Sequence, residues 1–139
     1  MYNIGYLHST SIYGAQDYKA AFNWFTKAAD KENAAAMYQL GWIYELGNGI
    51  KKDYKEAVTW YFKATEKGNA DAMFRFGYLY HFGIVVKKDY SEAFKWYTMA
   101  IEKGHVDALF RIAQLYQYGD GVKKDKVLAK EWQAKYDAA

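Results

Sequence analysis

Residues of the same type recur along this chain at intervals of 36, and this period restricts the fold more than any other feature. We call a set of positions that are 36 residues apart a column. The clearest columns consist of tryptophan, aspartate or a small residue: Trp24, Trp60, Trp96 and Trp132; Asp17, Asp53, Asp89 and Asp125; Gly5, Gly41, Gly77 and Ala113. A period of roughly 20 to 50 residues is typical of stacked repeats, in which each unit buries its apolar face against its neighbours.

Each repeat has the pattern of two helices. In the second repeat, apolar residues at helical spacing predict a first helix over roughly 34–46 and a second over roughly 53–67. One face of the second helix is expected to carry Tyr54, Ala57, Tyr61 and Ala64, which are spaced at i, i+3, i+7 and i+10. The expected caps are aspartate at N-termini and left-handed glycine at C-termini: Asp53, Asp89, Asp125, Gly68 and Gly104.

Two columns indicate how the helices pack. Gly41 and Gly77 lie in the middle of a predicted helix, where glycine costs about 1 kcal/mol. We therefore expect them to allow a close approach between helices. The four tryptophans of the Trp24 column are expected to fill the space between the two helices of their own repeat.

The period predicts an all-α fold, an α/α superhelical solenoid of about four antiparallel helix pairs without a β-sheet. One repeat domain would span residues 1–139, with units at approximately 1–33, 34–69, 70–105 and 106–139. The first unit is degenerate and truncated, since Ser11 and Tyr13 replace turn glycines. The last unit would form the polar cap that solenoids require.

The stretch LGNGIKKDY, residues 46–54, has the glycines and lysines of a phosphate-binding loop. It aligns with FGIVVKKDY and YGDGVKKDK in the next two repeats, where Val85 and Gly121 take the place of Gly49. A phosphate cradle requires the close backbone approach that Val85 prevents, and a dinucleotide fingerprint requires glycine at Lys52 and a preceding strand. We interpret the stretch as a turn in which the second glycine adopts a positive φ.

The composition removes several classes of function. The chain contains no cysteine, which excludes disulfides and thiolate metal sites. Its net charge of +3 is too small to indicate nucleic-acid binding by itself. No apolar run approaches the roughly 20 residues of a membrane span. The absence of cysteine and of a signal-peptide pattern favours a cytoplasmic location, provided that the chain is complete.

A catalytic or metal-binding constellation is also absent from the sequence. His8, His81 and His105 fall in different predicted elements, and neither HExxH nor GxSxG occurs. His105 shares a column with Asn33 and Asn69 between helices, so we expect a turn residue there. We therefore predict no catalytic, cofactor-binding or metal-binding residue, no cofactor and no enzymatic activity.

The combined pattern resembles the Sel-one-like repeat, a relative of the tetratricopeptide repeat. In the second unit the matching positions are Leu40, Gly41, Tyr44, Gly47, Gly49, Asp53, Ala57, Trp60, Lys63, Ala64 and Gly68, and similar matches continue through the third and fourth units. The resemblance implies an α-solenoid that acts as an adaptor between other proteins, in a family not known for catalysis. It names a mode of binding and no individual partner.

Candidate partner-binding positions follow from helix geometry. First helices line the inner face of tetratricopeptide-like solenoids. Because each residue turns the helix by 100°, the positions on the side away from the core can be identified, and one such position followed through successive repeats is called a ladder. Two ladders vary in chemistry from repeat to repeat, with His81 at their margin: Tyr6, Trp42, Tyr78 and Gln114; Asn3, Gln39, Arg75 and Arg111. Aromatic and arginine residues are typical of interface hot spots. We therefore predict a non-catalytic adaptor that binds a protein or peptide on this concave face.

Other interpretations of the same residues remain open. A third ladder, Tyr2, Tyr38, Phe74 and Phe110, is aromatic in every repeat and is expected to pack between repeats. The chain is alternatively a structural segment of a longer array that self-associates through its open ends. A further alternative is nucleic-acid binding along an edge of turn lysines, which glutamates interrupt: Lys51, Lys52, Lys87, Lys88, Lys123 and Lys124.

Overall fold

The structure is a computed structural model, and it describes residues 18–139. Every regular element in this range is an α-helix. The helices are α1 (Tyr18–Asp30), α2 (Ala34–Leu46), α3 (Tyr54–Glu66), α4 (Ala70–Phe82), α5 (Tyr90–Glu102), α6 (Asp107–Tyr118) and α7 (Lys126–Ala138). The prediction of an all-α fold built from helix pairs is confirmed.

Between Asn69 and Ala70 the chain divides into two compact units. In the first unit, α2 packs against both α1 and α3. In the second unit, α4 packs against α5, α5 against α6, and α6 against α7. Each first helix therefore lies against the second helix of its own repeat.

The helix limits agree with the sequence pattern. Helix α2 has the predicted limits, and α3 lies between its predicted first and last residues. Asp53 accepts hydrogen bonds from the backbone N–H groups of Lys55 and Glu56 at 3.0 and 3.2 Å, and Asp89 and Asp125 cap α5 and α7 in the same way. Gly68 and Gly104 have positive φ angles of 81° and 88° after α3 and α5. The predicted caps are thus confirmed.

The glycine-lysine stretches are turns, as expected. Gly49, Val85 and Gly121 have φ angles of 76°, 68° and 70°, so the valine adopts the conformation of the glycines in its column. A β-branched residue at positive φ is a genuine backbone outlier. The turn geometry is therefore retained in the third repeat at a local cost in strain.

Replacement of Val85 by glycine is expected to stabilise the protein by about 1 kcal/mol, because it removes the left-handed strain of a branched side chain. Urea unfolding followed by circular dichroism measures this difference. Val86→Gly is the matched control, since Val86 lacks a positive φ, and it should lower stability. Equal effects of the two substitutions would contradict the strain argument.

The mid-helix glycines permit a close helix approach, as predicted. A Cβ atom on Gly77 would lie 2.5 Å from Cδ1 of Tyr97, and one on Gly41 would overlap the ring of Tyr61. Both tyrosine rings are fully buried, and they are accompanied by buried alanines on the same helix face. Tyr54, at the start of α3, is instead exposed.

The tryptophans are less buried than expected, although Trp96 and Trp132 do pack against the core of the second unit. All four, Trp24, Trp60, Trp96 and Trp132, are only partly buried, and the largest fully buried rings are Phe25, Tyr61 and Tyr97. Trp96 does stack on Phe76 of its own repeat at 4.8 Å. Lysine ammonium groups cover the rings of the other three, at 4.2–5.1 Å from the ring centroids. The residue that follows Trp24, Trp60 and Trp96 takes the buried position instead, because it lies 100° further round the helix.

The third ladder makes aromatic contacts within a repeat, and its first member, Tyr2, lies outside the described residues. Tyr38 contacts Tyr61 at 5.7 Å, and Phe74 contacts Tyr97 at 5.6 Å between ring centroids. Each contact joins the two helices of one repeat. The described aromatic contacts of this ladder therefore hold a helix pair together.

Candidate partner-binding site

The predicted partner-binding residues fall into three groups. Asn3 and Tyr6 lie outside the described residues. Gln39 and Trp42 belong to the first unit, on α2. The remaining five belong to the second unit, on α4 and α6: Arg75, Tyr78, His81, Arg111 and Gln114.

In the first unit, Gln39 and Trp42 line an open hollow of about 520 Å³ together with Tyr18 and Leu46. The ring of Tyr38 meets that of Trp42 edge to face at 6.3 Å. Leu46, at the end of α2, is 55% exposed. This side of α2 therefore combines an indole, an amide and an exposed aliphatic side chain.

In the second unit, two guanidinium groups share one tyrosine ring. The Cζ atom of Arg75 lies 4.9 Å from the centroid of the Tyr78 ring, and that of Arg111 lies 5.3 Å from it. Cation–π contacts of this length are favourable, but two cations beside the same ring repel each other. An anion at this position would relieve the repulsion.

Arg111 is held in place by neutral groups. Its Nη1 donates a hydrogen bond of 2.9 Å to Oε1 of Gln114, and its Cζ lies 5.4 and 5.7 Å from the rings of Phe82 and Phe110. Within residues 18–139, no carboxylate lies within salt-bridge distance of this guanidinium. We call these residues the arginine–aromatic surface: Arg75, Tyr78, Phe82, Phe110, Arg111 and Gln114.

His81 is directed towards the core, although the sequence pattern groups it with the partner-binding residues. It is 8% exposed, and its Nδ1 lies 3.0 Å from the Tyr97 hydroxyl on α5. Burial, assisted by the Arg111 cation, lowers the pKa of His81 to about 4. The imidazole is thus neutral at physiological pH and supports the surface from beneath.

A second column explains this inward position. Tyr61 donates a hydrogen bond of 3.3 Å to Oε1 of Glu45, as Tyr97 contacts His81. Glu45 and His81 are 36 residues apart, as are the two tyrosines. The equal spacing of the two columns therefore indicates that the side chain at position 45 or 81 is the hydrogen-bond partner of the buried tyrosine in its repeat.

Sequence reasoning also left out the most exposed apolar residues of the first helices. Leu46, Phe82 and Tyr118 are the last residues of α2, α4 and α6, and they are 55%, 46% and 68% exposed. Their regular spacing of 36 residues was the available signal. They enlarge the apolar part of the candidate site at the C-terminal end of each first helix.

The lysine turns have a local structural role. The ammonium groups of Lys52 and Lys88 lie 4.5 and 4.7 Å from the ring centroids of Tyr54 and Tyr90. In each case the lysine precedes the first turn of a second helix. These contacts occupy one lysine of each pair with a neighbouring ring.

His105 lies in the connection between α5 and α6, as expected for a turn residue. Its ring stacks on Phe74 at 4.4 Å, and its Nε2 lies 3.1 Å from Oδ1 of Asp71. The hydrogen bond from His105 lowers the pKa of Asp71. His105 therefore ties the α5–α6 connection to α4.

No group of three or more histidine, aspartate or glutamate side chains in residues 18–139 is arranged to hold a metal ion. Over the same range, none of the helices has both the length and the apolar character needed to cross a bilayer.

Comparison with solved structures identifies proteins of the same architecture. A Sel1 repeat protein from Oxalobacter formigenes is 39% identical with a TM-score of 0.92, over 98% of this chain and 56% of that one. The protein c5321 of uropathogenic Escherichia coli, a protective antigen with an SLR fold, is 33% identical with a TM-score of 0.88, over 99% and 29%. This chain therefore spans about half or less of the length of these two relatives.

A more distant structure supports the fold alone. Cysteine rich protein B of Helicobacter pylori is 20% identical with a TM-score of 0.65, over 93% of this chain and 92% of that one. Among curated proteins, none matches the sequence significantly.

The family model for the Sel1 repeat matches almost the whole sequence, at residues 1–33, 34–69, 70–105 and 106–132. Proteins built from this repeat generally serve as protein-interaction scaffolds. The helical-repeat fold and the 36-residue period thus have one explanation: the chain belongs to the Sel1 repeat family.

Proposed function

We propose that this chain is a non-catalytic protein-interaction module that binds a protein or peptide on the face formed by its first helices. In the second unit, the proposed contact region is the arginine–aromatic surface. The family relationship supports the scaffold role, and the two described histidines are engaged with other side chains of the second unit. The partner's identity is left to experiment.

The observation that carries the proposal is the pair of guanidinium groups on Tyr78. Their Cζ atoms lie 4.9 and 5.3 Å from one ring, and Arg111 has no carboxylate within salt-bridge distance in residues 18–139. Arginine and aromatic residues supply most hot spots in protein interfaces. A partner with an acidic segment would neutralise the guanidinium charge and cover the exposed ring of Phe82.

Reversal of charge at Arg111 tests this proposal. Arg111→Glu, alone or with Arg75→Glu, should weaken capture of the native partner by about thirty-fold or more, as expected for loss of a hot spot. Affinity capture from the source organism with quantitative mass spectrometry identifies the partner, and titration with that partner measures the loss. Circular dichroism checks that the helices are retained.

Lys123→Glu is the matched control, because it reverses one charge on an exposed turn outside the arginine–aromatic surface. It should leave capture nearly unchanged, since surface charges outside an interface contribute little. Capture that is indifferent to Arg111→Glu, or equally reduced by both substitutions, would contradict the proposed surface.

A further inference from the structure

A small hollow adjoins the arginine–aromatic surface in the second unit. Its volume is about 250 Å³, and it lies between the end of α4, the following turn and α6. His81 and Phe82 line it from α4, Gln114 and Tyr118 from α6, and Lys88 and Asp120 from the two turns. The hollow is continuous with the surface, because Phe82 and Gln114 both contact Arg111.

The buried histidine presents a hydrogen-bond donor at this hollow. Tyr61 donates to Glu45 in the preceding repeat, and we assign the same direction to the bond from Tyr97 to Nδ1 of His81. A neutral imidazole that accepts at Nδ1 carries its proton on Nε2. In the described part of the chain, the ring makes no second hydrogen bond. Nε2–H of His81 is thus available to a ligand.

Gln114 supplies a second donor. Its Oε1 accepts a hydrogen bond of 2.9 Å from Nη1 of Arg111, and this bond fixes the orientation of the amide. The NH₂ group at the other side of the amide is a hydrogen-bond donor. Tyr118 adds a hydroxyl to the lining, and Lys88 adds an ammonium group that lies over the ring of Tyr90, which lines the hollow from α5. Donors therefore dominate the polar side chains of the hollow.

The charge balance also favours an anion. Asp120 is the carboxylate on the lining, and the Lys88 ammonium on the same lining offsets its charge. Arg111 adds a positive charge beside the hollow, while His81 contributes none. Phe82, which is 46% exposed, provides an apolar wall against which methylene groups can pack.

We propose that this hollow binds the carboxylate of a glutamate side chain from an acidic segment of the protein partner. The inference rests on the proposed function, because it describes the same partner as it continues past the arginine–aromatic surface. The glutamate carboxylate accepts hydrogen bonds from His81 and Gln114, and its methylene groups lie against Phe82.

Small probes observed by NMR test the carboxylate source. N-acetyl-glutamate N-methylamide, which has only a side-chain carboxylate, should shift the His81 Nε2 and Gln114 side-chain resonances. N-acetyl-glutamine N-methylamide should not shift them. Equal shifts with both probes, or no shift with the first, would overturn the inference. Stronger shifts with N-acetyl-alanine, which has only a terminal carboxylate, would overturn it in favour of a chain terminus.

A matched pair of substitutions on α6 tests the location. Gln114→Glu places a carboxylate at the hollow and should weaken binding of the glutamate probe by about ten-fold or more. Gln117→Glu makes the same change on an exposed residue of the same helix, outside this lining, and should leave binding unchanged. Equal effects would overturn the assignment to this hollow.

The two proposals fail in different ways. If Arg111→Glu abolishes partner capture but the glutamate probe does not shift His81, the hollow is not the carboxylate site and the proposed function stands. If the probe binds as expected but capture is indifferent to Arg111→Glu, the hollow remains an anion site and the proposed partner surface is wrong.

Discussion

Tyr97→Ala is expected to lower the free energy of unfolding of the second unit by about 3–5 kcal/mol, the range for truncation of a buried aromatic residue. The ring is fully buried, contacts Phe74 at 5.6 Å and packs directly on the backbone of Gly77. Its removal leaves a cavity between α4 and α5, and His81 loses the hydroxyl at its Nδ1. Urea unfolding followed by circular dichroism measures the loss.

Trp96→Ala is the informative control for this prediction. Trp96 is the larger side chain and belongs to the column that is tryptophan in all four repeats, but it is only partly buried. Its truncation should therefore cost less than that of Tyr97, because less of its area is removed from water on folding. A greater loss for Trp96→Ala would contradict this account of the core.

Tyr97→Phe separates the contribution of the ring to stability from that of the hydroxyl group. It retains the packing on Gly77 but removes the hydrogen-bond partner of His81 Nδ1. A buried polar group left without a partner costs about 1–3 kcal/mol. A loss within this range, smaller than that of Tyr97→Ala, is expected in the same unfolding measurement.

The sequence predicted the helices well because their signals are local. The limits of α2 follow from periodicity, and caps such as Asp53 satisfy backbone groups within one turn. The error concerned how deeply the tryptophans are buried. The constancy of the tryptophans drew attention to them, but Tyr61 shares its helix face with the buried Ala57 and Ala64, and Trp60 lies 100° away. Angular position on the helix was the better guide.

The candidate site was only partly predictable for the same reason. Steps of 100° along a helix grouped Arg75, Tyr78 and Arg111, and the structure brings these three side chains together around one ring. They did not predict that His81 turns towards Tyr97, because that depends on a side chain from the facing helix. To predict such a contact between helices, the residues of two columns have to be compared with each other in every repeat.

Gly77→Ala is expected to destabilise the protein by about 2 kcal/mol, because an overpacking cost of about 3 kcal/mol outweighs the better helix propensity of alanine. The added Cβ would lie 2.5 Å from Cδ1 of Tyr97, a ring enclosed on all sides. The helices must separate or the ring must leave its position. This effect opposes the gain of about 1 kcal/mol that alanine gives over glycine in a helix, so the sign of the measured change tests the contact directly.

The fourth repeat indicates how the loss can be reversed. There, alanine and glutamine occupy the two positions that glycine and tyrosine occupy in the third repeat, and Ala113 and Gln133 line a hollow of about 340 Å³. Tyr97→Gln removes the ring that obstructs an alanine. The double variant Gly77→Ala/Tyr97→Gln should therefore be more stable than the sum of the single losses implies, by about 1–3 kcal/mol in a double-mutant cycle.

Ala113→Gly is the reverse control. Gln133 replaces the tyrosine here, so the substitution should cost the helix propensity of about 1 kcal/mol and the burial of one methyl group, about 0.8 kcal/mol. Additive effects of Gly77→Ala and Tyr97→Gln would show that the glycine and the ring are independent. A coupling of the expected size would instead mean that the size of one residue sets the tolerated size of the other, which explains why the glycine column changes to alanine only where the tyrosine is lost.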